Sequence, residues 1–508
     1  YEIACVFLNL TKGTGNGGEE TINTKLLELN NGARINASTA GGGGNAGNLV
    51  ISAETISLSG FGTRSNGRTF VSGLFARSEL DSCCQGVGDA GGLRISTTSL
   101  NLSNGATIST STFRDGNGGE LIILAERISL NGDVSNNRIF SSGFFSSSFG
   151  RGEGGQISIN TNRLSVINGS SISVGAFGQG NGGSLNIVAN EIEVIGRNLL
   201  NGSGSSTLSS NAYDLFGDGR NTGNAGNINI VTNKLRILET ARIAATNFQD
   251  PDSSPPGLGR AGNINIKAED VLLDLGSILA NGNVKGGGDI TIDSSKFIIL
   301  RNRSKITTNV GETIGFSGGN ITINSPLILA LPKENKISAT AVNSTGGNIN
   351  INANAIFGYP QNLSIDASST LGIDGTININ EQFNINSEFQ KTETDRPSEE
   401  TAEVRECPID SERTANFGRR ERLGGRLKVR VFSLKELNEE KADRPQSLEK
   451  GGAENTDRPI ASDKVKTDKP LEQAVGWYRN KNGSVVLTKK QDEVKPLNRP
   501  VNYSSNCK

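Results

Sequence analysis

The stretch GNGGELIILAERISLNG, residues 116 to 132, contains the pattern that decides the fold. A glycine pair is followed by short alternating apolar segments, the first at Leu121-Ile122-Ile123 and the second at Ile128-Ser129-Leu130. Alternation with a period of two predicts β-strands. The stretch ends at Asn131-Gly132, and Asn-Gly pairs favour tight turns because both residues tolerate a positive φ. Asn31-Gly32, Asn104-Gly105 and Asn168-Gly169 predict the same kind of corner elsewhere in the chain.

The pattern recurs twelve times. A glycine pair, Gly-Asn or a similar doublet precedes alternating residues near positions 17, 47, 91, 118, 154, 182, 226, 262, 287, 318, 346 and 374. The commonest spacing between copies is 28 residues, and the longer intervals add an insertion to that period. Each copy predicts three short strands, which cannot bury an apolar face alone. Stacked copies can, because each strand then pairs with its equivalent in the next copy.

The repeats therefore predict an all-β fold, a right-handed single-stranded parallel β-helix of about twelve coils over residues 1 to 384. A left-handed helix would show a strict six-residue repeat, and propeller blades and leucine-rich repeats have frames that are not visible here. Asn227, Asn263, Asn320 and Asn348 occupy one equivalent position, so their amides are expected to form a ladder. The residues expected to point inward in one coil are Ile157, Ile159, Leu164, Val166 and Ile172.

The composition changes sharply near residue 390. Of the 118 residues from 391 onward, 46 are charged, and only seven of the 65 glycines lie there. Stretches rich in Glu, Lys, Asp and Pro predict disorder. We therefore predict a linker at 385 to 405 and a disordered charged linker at 435 to 472. The two parts of a small terminal module would lie at 406 to 434 and 473 to 508, with strands at Leu427–Phe432 and Val485–Leu487.

Four insertions interrupt the repeat, at 61 to 88, 138 to 153, 196 to 220 and 247 to 260. Each precedes a glycine pair, so we expect all four to leave the rod at neighbouring corners, where local function would reside. One insertion contains a candidate exposed patch for a glycan or protein, with the alternative that its rings fold over the solenoid surface. The patch consists of Phe140, Phe144, Phe145 and Phe149.

Loop acids raise the alternative of a polysaccharide lyase or glycosidase that uses paired carboxylates. They are Asp214, Asp218, Asp250 and Asp252. No acids recur at one strand position, so we expect a non-catalytic protein. Cys83 and Cys84 are adjacent in an insertion, and we interpret them as loop thiols or as a link to another chain.

Composition excludes several classes of function. The chain has no His, so it has no Ser-His-Asp triad, Cys-His pair or His-ligated metal. We predict no cofactor and no metal. The net charge of -1 provides no general field that would attract nucleic acid. The sequence contains no run of about twenty apolar residues, so it predicts no transmembrane helix.

The start at Tyr1, with no cap before the first coil, indicates a fragment of a longer product and a strand edge open to self-association.

The repeats resemble those of cyanobacterial filamentous-haemagglutinin-like exoproteins, often labelled S-layer family proteins. The resemblance rests on residues 116 to 132, 180 to 196 and 223 to 237. The tail is similar too, with Cys407, a Gly-Arg-rich stretch at 417 to 426, Ala474–Trp477, Asn482–Leu487 and Cys507.

The resemblance implies a secreted or cell-surface adhesin or structural protein, associated with the outer membrane. A two-partner system would export it, with an outer-membrane transporter as partner, and glycans or surface proteins would be its ligands. The amino-terminal haemagglutination-activity domain of the family does not precede the repeats. The resemblance also implies a disulfide between Cys407 and Cys507, which stand apart from the other cysteines, with two unpaired thiols as the alternative.

Overall fold

The computed structural model describes residues 14 to 382, apart from 41–42, 64–66, 68, 80–87, 114, 133–140, 197–203, 213–222, 248–257 and 312–316. It also describes one strand before this range and four after it. The chain divides into two units, Tyr1–Thr401 and Ala402–Lys508. The described residues contain strands, bridges and turns but no helix.

Two twelve-stranded sheets form the first unit. We call them the long sheet and the short sheet and number the coils by the strands of the long sheet. The strands of the long sheet, for coils one to twelve, are Glu20–Asn30, Leu49–Ser59, Leu93–Ser103, Glu120–Asn131, Gln156–Ile167, Ser184–Ile195, Ile228–Leu238, Ile264–Asp274, Ile290–Arg301, Ile321–Ala330, Ile349–Phe357 and Ile377–Glu381. The strands of the short sheet are Val6–Leu8, Arg34–Asn36, Gly73–Phe75, Thr107–Ser109, Gly143–Phe145, Ser171–Ser173, Thr207–Ser209, Arg242–Ala244, Ser277–Leu279, Lys305–Thr307, Asn335–Ser338 and Leu363–Asp366.

Every strand in both sheets runs parallel to its neighbours, and positions pair with their equivalents one coil away, with register shifts within the long strands of coils eight to ten. Leu121, for example, pairs with Leu93 on one side and with Ile157 on the other. A third side of the coil is joined by single bridges, such as those that link Thr112 to Ser148 and Ser148 to Ala176. The predicted parallel β-helix of about twelve coils is confirmed.

The prediction of three separate strands per coil was wrong, because the first two segments form one bent strand. In Gln156–Ile167 the inward residues are Ile157, Ile159 and Thr161, and then Leu164 and Val166. Two consecutive outward residues, at 162 and 163, shift the phase of the alternation. A strand whose side chains alternate presents two successive outward residues where it bulges or bends. The long strand thus forms two walls of the coil.

Hydroxyl groups support this corner from the inside. Thr161 Oγ1 donates to the carbonyl of Glu126 one coil earlier at 3.1 Å, and it lies 3.2 Å from the carbonyl of Arg163 in its own coil. Thr97 and Thr232 make the equivalent contacts in their coils. Glu126 lies between two paired positions of the ladder and is not itself paired there. The buried hydroxyl of Thr161 therefore donates the hydrogen bond that its carbonyl oxygen does not receive from a strand N–H.

The core is a narrow aliphatic column. The residues predicted to point inward are all buried, from Ile157 to Ile172, which confirms the prediction. Phe75 and Phe144 are the bulkiest of the fully buried side chains. Each fully buried Leu, Ile or Val contributes about 1.5–3 kcal/mol, so the coils stabilise one another mainly through these side chains.

Glycines stack at the corner that precedes the long strand. At each of them a Cβ would overlap the carbonyl oxygen of the equivalent glycine one coil earlier, so only glycine allows the backbones to approach this closely. The members of the stack are Gly47, Gly91, Gly119, Gly155, Gly183, Gly226, Gly262, Gly288, Gly319, Gly347 and Gly375. The stack explains why the sequence motif begins with glycine.

The predicted amide ladder is confirmed at this corner. The side-chain oxygen of Asn227 accepts a hydrogen bond from the backbone N–H of Asn263 at 3.0 Å. Asn320 and Asn348 pair in the same way at 3.1 Å. Asp289, which the prediction did not include, is the rung between Asn263 and Asn320.

The predicted corners at Asn31-Gly32, Asn104-Gly105 and Asn168-Gly169 have positive φ at both residues, as expected. Asn131-Gly132 differs, because Asn131 is the last residue of a long strand and an insertion follows it. The prediction of a tight corner at this pair was wrong.

Four antiparallel strands are described in the second unit. Gly418–Leu423 pairs with Arg426–Val431, and Gly476–Arg479 pairs with Val485–Thr488. The strands predicted from Leu427 and from Val485 are thereby confirmed. The predicted linkers at 385 to 405 and 435 to 472 lie outside the described residues.

Candidate binding surface

The insertions enter the coil at two corners, so the expectation that all four stand directly before a glycine pair was wrong. The predicted insertions at 138 to 153 and 196 to 220 each contain a regular strand of the short sheet, Gly143–Phe145 and Thr207–Ser209. The extra residues at 60–71, 132–141 and 196–205 all stand between a long strand and the following short strand. Those at 80–87, 213–222 and 248–257 precede the glycine corner and lie outside the described residues.

A buried serine closes each insertion at the first of these corners. Ser206 Oγ accepts a hydrogen bond from the N–H of Gly169 one coil earlier at 2.9 Å and donates to the carbonyl of Ile195 at 2.8 Å. Ser72 and Ser142 make the same pair of bonds in coils two and four. In coil two the inserted residues form a hairpin, Phe61–Thr63 with Thr69–Val71.

The structure does not bring the four predicted phenylalanines together as an exposed patch. Phe144 is fully buried and pairs with Ile108 and Ile172 in the short sheet, so its assignment to the patch was wrong. Phe145 follows it in the strand and is partly buried. Phe140 lies outside the described residues.

Phe149 belongs to an aromatic stack that runs along the rod. Its ring centroid lies 4.9 Å from that of Phe113, at an interplanar angle of 8°, and 4.9 Å from that of Phe177, at 44°. Side chains at equivalent positions of parallel strands are one coil apart, a spacing that suits ring stacking. Because neighbouring rings cover its faces, Phe149 is no open platform for a sugar ring.

A network of charges crosses the outside of coils five to seven. Arg163 lies 2.9 Å from Glu193 and 3.7 Å from Glu191, and Arg236 lies 3.2 Å from Glu193 on the other side. The hydrogen bond to Glu193, followed by the charges of Glu191 and Glu193, raises the pKa of the Arg163 guanidinium. Such exposed pairs contribute little individually, so we interpret the network as support for the register of three coils.

The most regular surface lies on the first wall of the long sheet in coils eight to twelve, and we call it the polar array. It has three columns of outward residues, each with one residue per coil. The first column is Asn263, Asp289, Asn320, Asn348 and Thr376. The second column is Asn265, Thr291, Thr322, Asn350 and Asn378. The third column is Lys267, Asp293, Asn324, Asn352 and Asn380.

Hydrogen bonds between coils fix the side chains of the polar array. In the third column, Asn324 Nδ2 donates to Asp293 at 2.7 Å, Asn352 Nδ2 donates to Asn324 at 2.7 Å and Asn380 Nδ2 donates to Asn352 at 2.8 Å. In the second column, Asn378 Nδ2 donates to Asn350 Oδ1 at 3.0 Å. The result is a set of amide ladders on an otherwise open wall.

A shallow groove of about 630 Å³ borders the third column. Asn324, Asn352 and Asn380 line it, together with Ser325, Ala353 and residues of the last coil. The sequence prediction included one member column of this surface and missed the other two. The signal was present, since GNININ and GNITIN place polar residues at every second position.

Several predicted site residues lie outside the described part of the chain. These are the candidate disulfide Cys407 and Cys507, the vicinal Cys83 and Cys84, and the loop acids Asp214, Asp218, Asp250 and Asp252. Within the described residues, no group of three or more Cys, Asp or Glu is placed to hold a metal ion. The same residues include no helix that could cross a membrane.

No protein-family model, curated protein or solved structure matches the chain.

Proposed function

We propose that the chain is a filamentous haemagglutinin-like adhesin or structural protein, secreted or held at the cell surface, that binds glycans or surfaces without catalysis. The resemblance of its repeats and tail to cyanobacterial exoproteins of the S-layer type supports this proposal. An outer-membrane two-partner transporter would export it. Self-association through an end of the β-helix is part of the same proposal.

The observation that carries the proposal is the set of ordered polar columns along the β-helix. Similar polar groups recur once per coil, about 4.8 Å apart, on a backbone held by parallel ladders. A ligand that spans several coils gains many weak contacts at once, and their combined strength exceeds that of any single contact. A long, rigid surface with repeated polar groups suits adhesion to an extended ligand better than it suits catalysis at a single active site.

Cell fractionation with an antibody against the β-helix tests the proposal. We expect the protein in the culture medium or outer-membrane fraction, together with an outer-membrane marker and apart from a cytoplasmic marker enzyme. Cells that lack the protein should adhere less to a glycan-coated surface, and the loss should be reversed by the intact gene. Retention of the protein inside the cell, with adhesion unchanged, would contradict the proposal.

A further inference from the structure

We infer that the polar array of coils eight to twelve is a binding face for an extended neutral polysaccharide that lies along the rod. The inference rests on the proposed function and deepens it, because it names both the site and the chemical class of the ligand. Of the fifteen positions, nine are Asn, three are Thr, two are Asp and one is Lys. No aromatic or large aliphatic side chain interrupts the array.

The hydrogen-bonding capacity of the ladders suits hydroxyl groups. An amide side chain has two N–H donors and an oxygen with two lone pairs. Asn352 uses one donor on Asn324 and one lone pair on Asn380. One donor and one acceptor site therefore remain at the rung, and a sugar hydroxyl can both accept from the one and donate to the other. The same count applies to Asn324.

The ladders also prepare the face for binding. The rungs of the third column from Asp293 to Asn380 are already held by their neighbours, so little side-chain freedom is lost there when a ligand arrives. Rungs recur at about 4.8 Å along the rod, and the columns stand about 6.7 Å apart across it. A chain of repeated hydroxyl-bearing units can thus meet successive rungs with equivalent groups.

The charge and composition of the face select among classes of ligand. Asp289 and Asp293 outnumber the one cation, Lys267, so the face has no attraction for the phosphates of nucleic acid or for an acidic glycan. Protein interfaces usually depend on aromatic or Arg anchors, which the array lacks. A neutral polysaccharide needs neither cations nor apolar anchors.

The groove beside the third column gives the ligand a place to lie. Its lining includes Asn324 and Asn352, the rungs at which one donor and one acceptor site remain. Coils two to seven have the same three columns, but there Val50, Ile122, Leu124, Val188 and Val231 interrupt the polar pattern. The continuous array and the groove coincide only in the later coils of the described chain.

Retention of the purified full chain on cellulose and on β-mannan, both neutral and extended, tests the inference. The array variant is Thr322→Val, Asn324→Val, Asn350→Val and Asn352→Val. Val50, Val188 and Val231 already occupy these columns elsewhere, so the fold should tolerate the changes. The matched control is Ser96→Val, Ser158→Val, Asn160→Val and Asn186→Val, in the same columns of coils three, five and six.

We expect the intact chain to bind at least one of the two polysaccharides, and the array variant to bind it about tenfold more weakly or worse. The control variant should bind like the intact chain. Binding to neither polysaccharide, an unchanged array variant, or an equal loss in the control would overturn the inference. Circular dichroism of both variants confirms that the β-helix is intact. Surface location without polysaccharide binding would refute this inference and leave the proposed function standing.

Discussion

At the scale of the residue, the glycine stack makes the sharpest prediction. A Cβ on Gly183 would overlap the carbonyl oxygen of Gly155. The backbone at Gly183 cannot easily move away from Gly155, because Gly183 N–H donates a hydrogen bond to the carbonyl oxygen of Val174 at 2.6 Å. Gly183→Ala should therefore lower the free energy of unfolding by about 1–3 kcal/mol, the usual cost of overpacking. Urea unfolding followed by circular dichroism measures it.

Gly18→Ala is the control for this change, because a Cβ at Gly18 would meet no atom within 4 Å. It should leave the urea midpoint nearly unchanged. If both variants unfold at the same urea concentration, close backbone approach is not the reason for the glycine motif.

Asp366 gives a prediction about pH. Burial acts to raise the pKa of this carboxyl, but the hydrogen bonds from Ser368, followed by the charge of Lys336, outweigh it, and the pKa lies below its ordinary value. Ser368 Oγ lies 2.7 Å away and Lys336 Nζ 3.5 Å away. A carboxyl whose pKa is lower in the folded state stabilises that state above the unfolded pKa, near about 3.9. This contribution is lost as the pH falls through the folded pKa.

Asp366→Asn should therefore lower the urea midpoint at pH 7, and the difference from the unchanged protein should shrink below about pH 4. Urea titrations at pH 7, 5, 4 and 3 measure the effect. Lys336→Gln should show a smaller difference over the same pH range. A difference between Asp366→Asn and the unchanged protein that is the same at every pH would show that the charge is not involved.

At the scale of the element, the buried serines predict how insertions are accommodated. Ser206→Ala removes the acceptor for the N–H of Gly169, which then stays buried without a partner. A buried donor left unsatisfied costs about 1–3 kcal/mol. We expect a fall of that size in the free energy of unfolding, measured by urea denaturation. Ser129→Ala, on the outer side of a long strand, should change it by less than about 0.5 kcal/mol; equal effects would remove the special role of Ser206.

The elements also show which parts of the fold were readable in advance. Glycine pairs mark the start of each long strand, so the coil number and the inward residues up to Ile172 followed from spacing. The corner after Thr161 was visible as two successive polar residues before Leu164, but the segments on its two sides read as separate strands. No sequence motif like the glycine pair marks the start of the short strand. Where an insertion precedes the short strand, its position cannot be counted from the long strand. Phe144 was therefore assigned to a loop although it pairs with Ile172.

At the scale of the whole molecule, the coils are equivalent units that stabilise mainly their neighbours. Removal of one complete coil, residues 157 to 184, joins Gln156 to Leu185. Leu185 would then take the place of Ile157 against Leu121. Every ladder can re-form between coils four and six, so the shortened chain should fold and unfold cooperatively. Its urea m value should fall in proportion to the lost surface.

Removal of half a coil, residues 157 to 170, tests the same principle from the opposite side. Gln156 would join Ser171, so the glycine corner would lead directly into a short strand and the coil would lack both walls of its long strand. Coils four and six would then have no continuous sheet between them, and their apolar residues would be exposed. We expect this chain to aggregate or to lose β-structure by circular dichroism, although it lacks fewer residues. If the half-coil deletion were as stable as the full-coil deletion, the coil would not be the unit of stability.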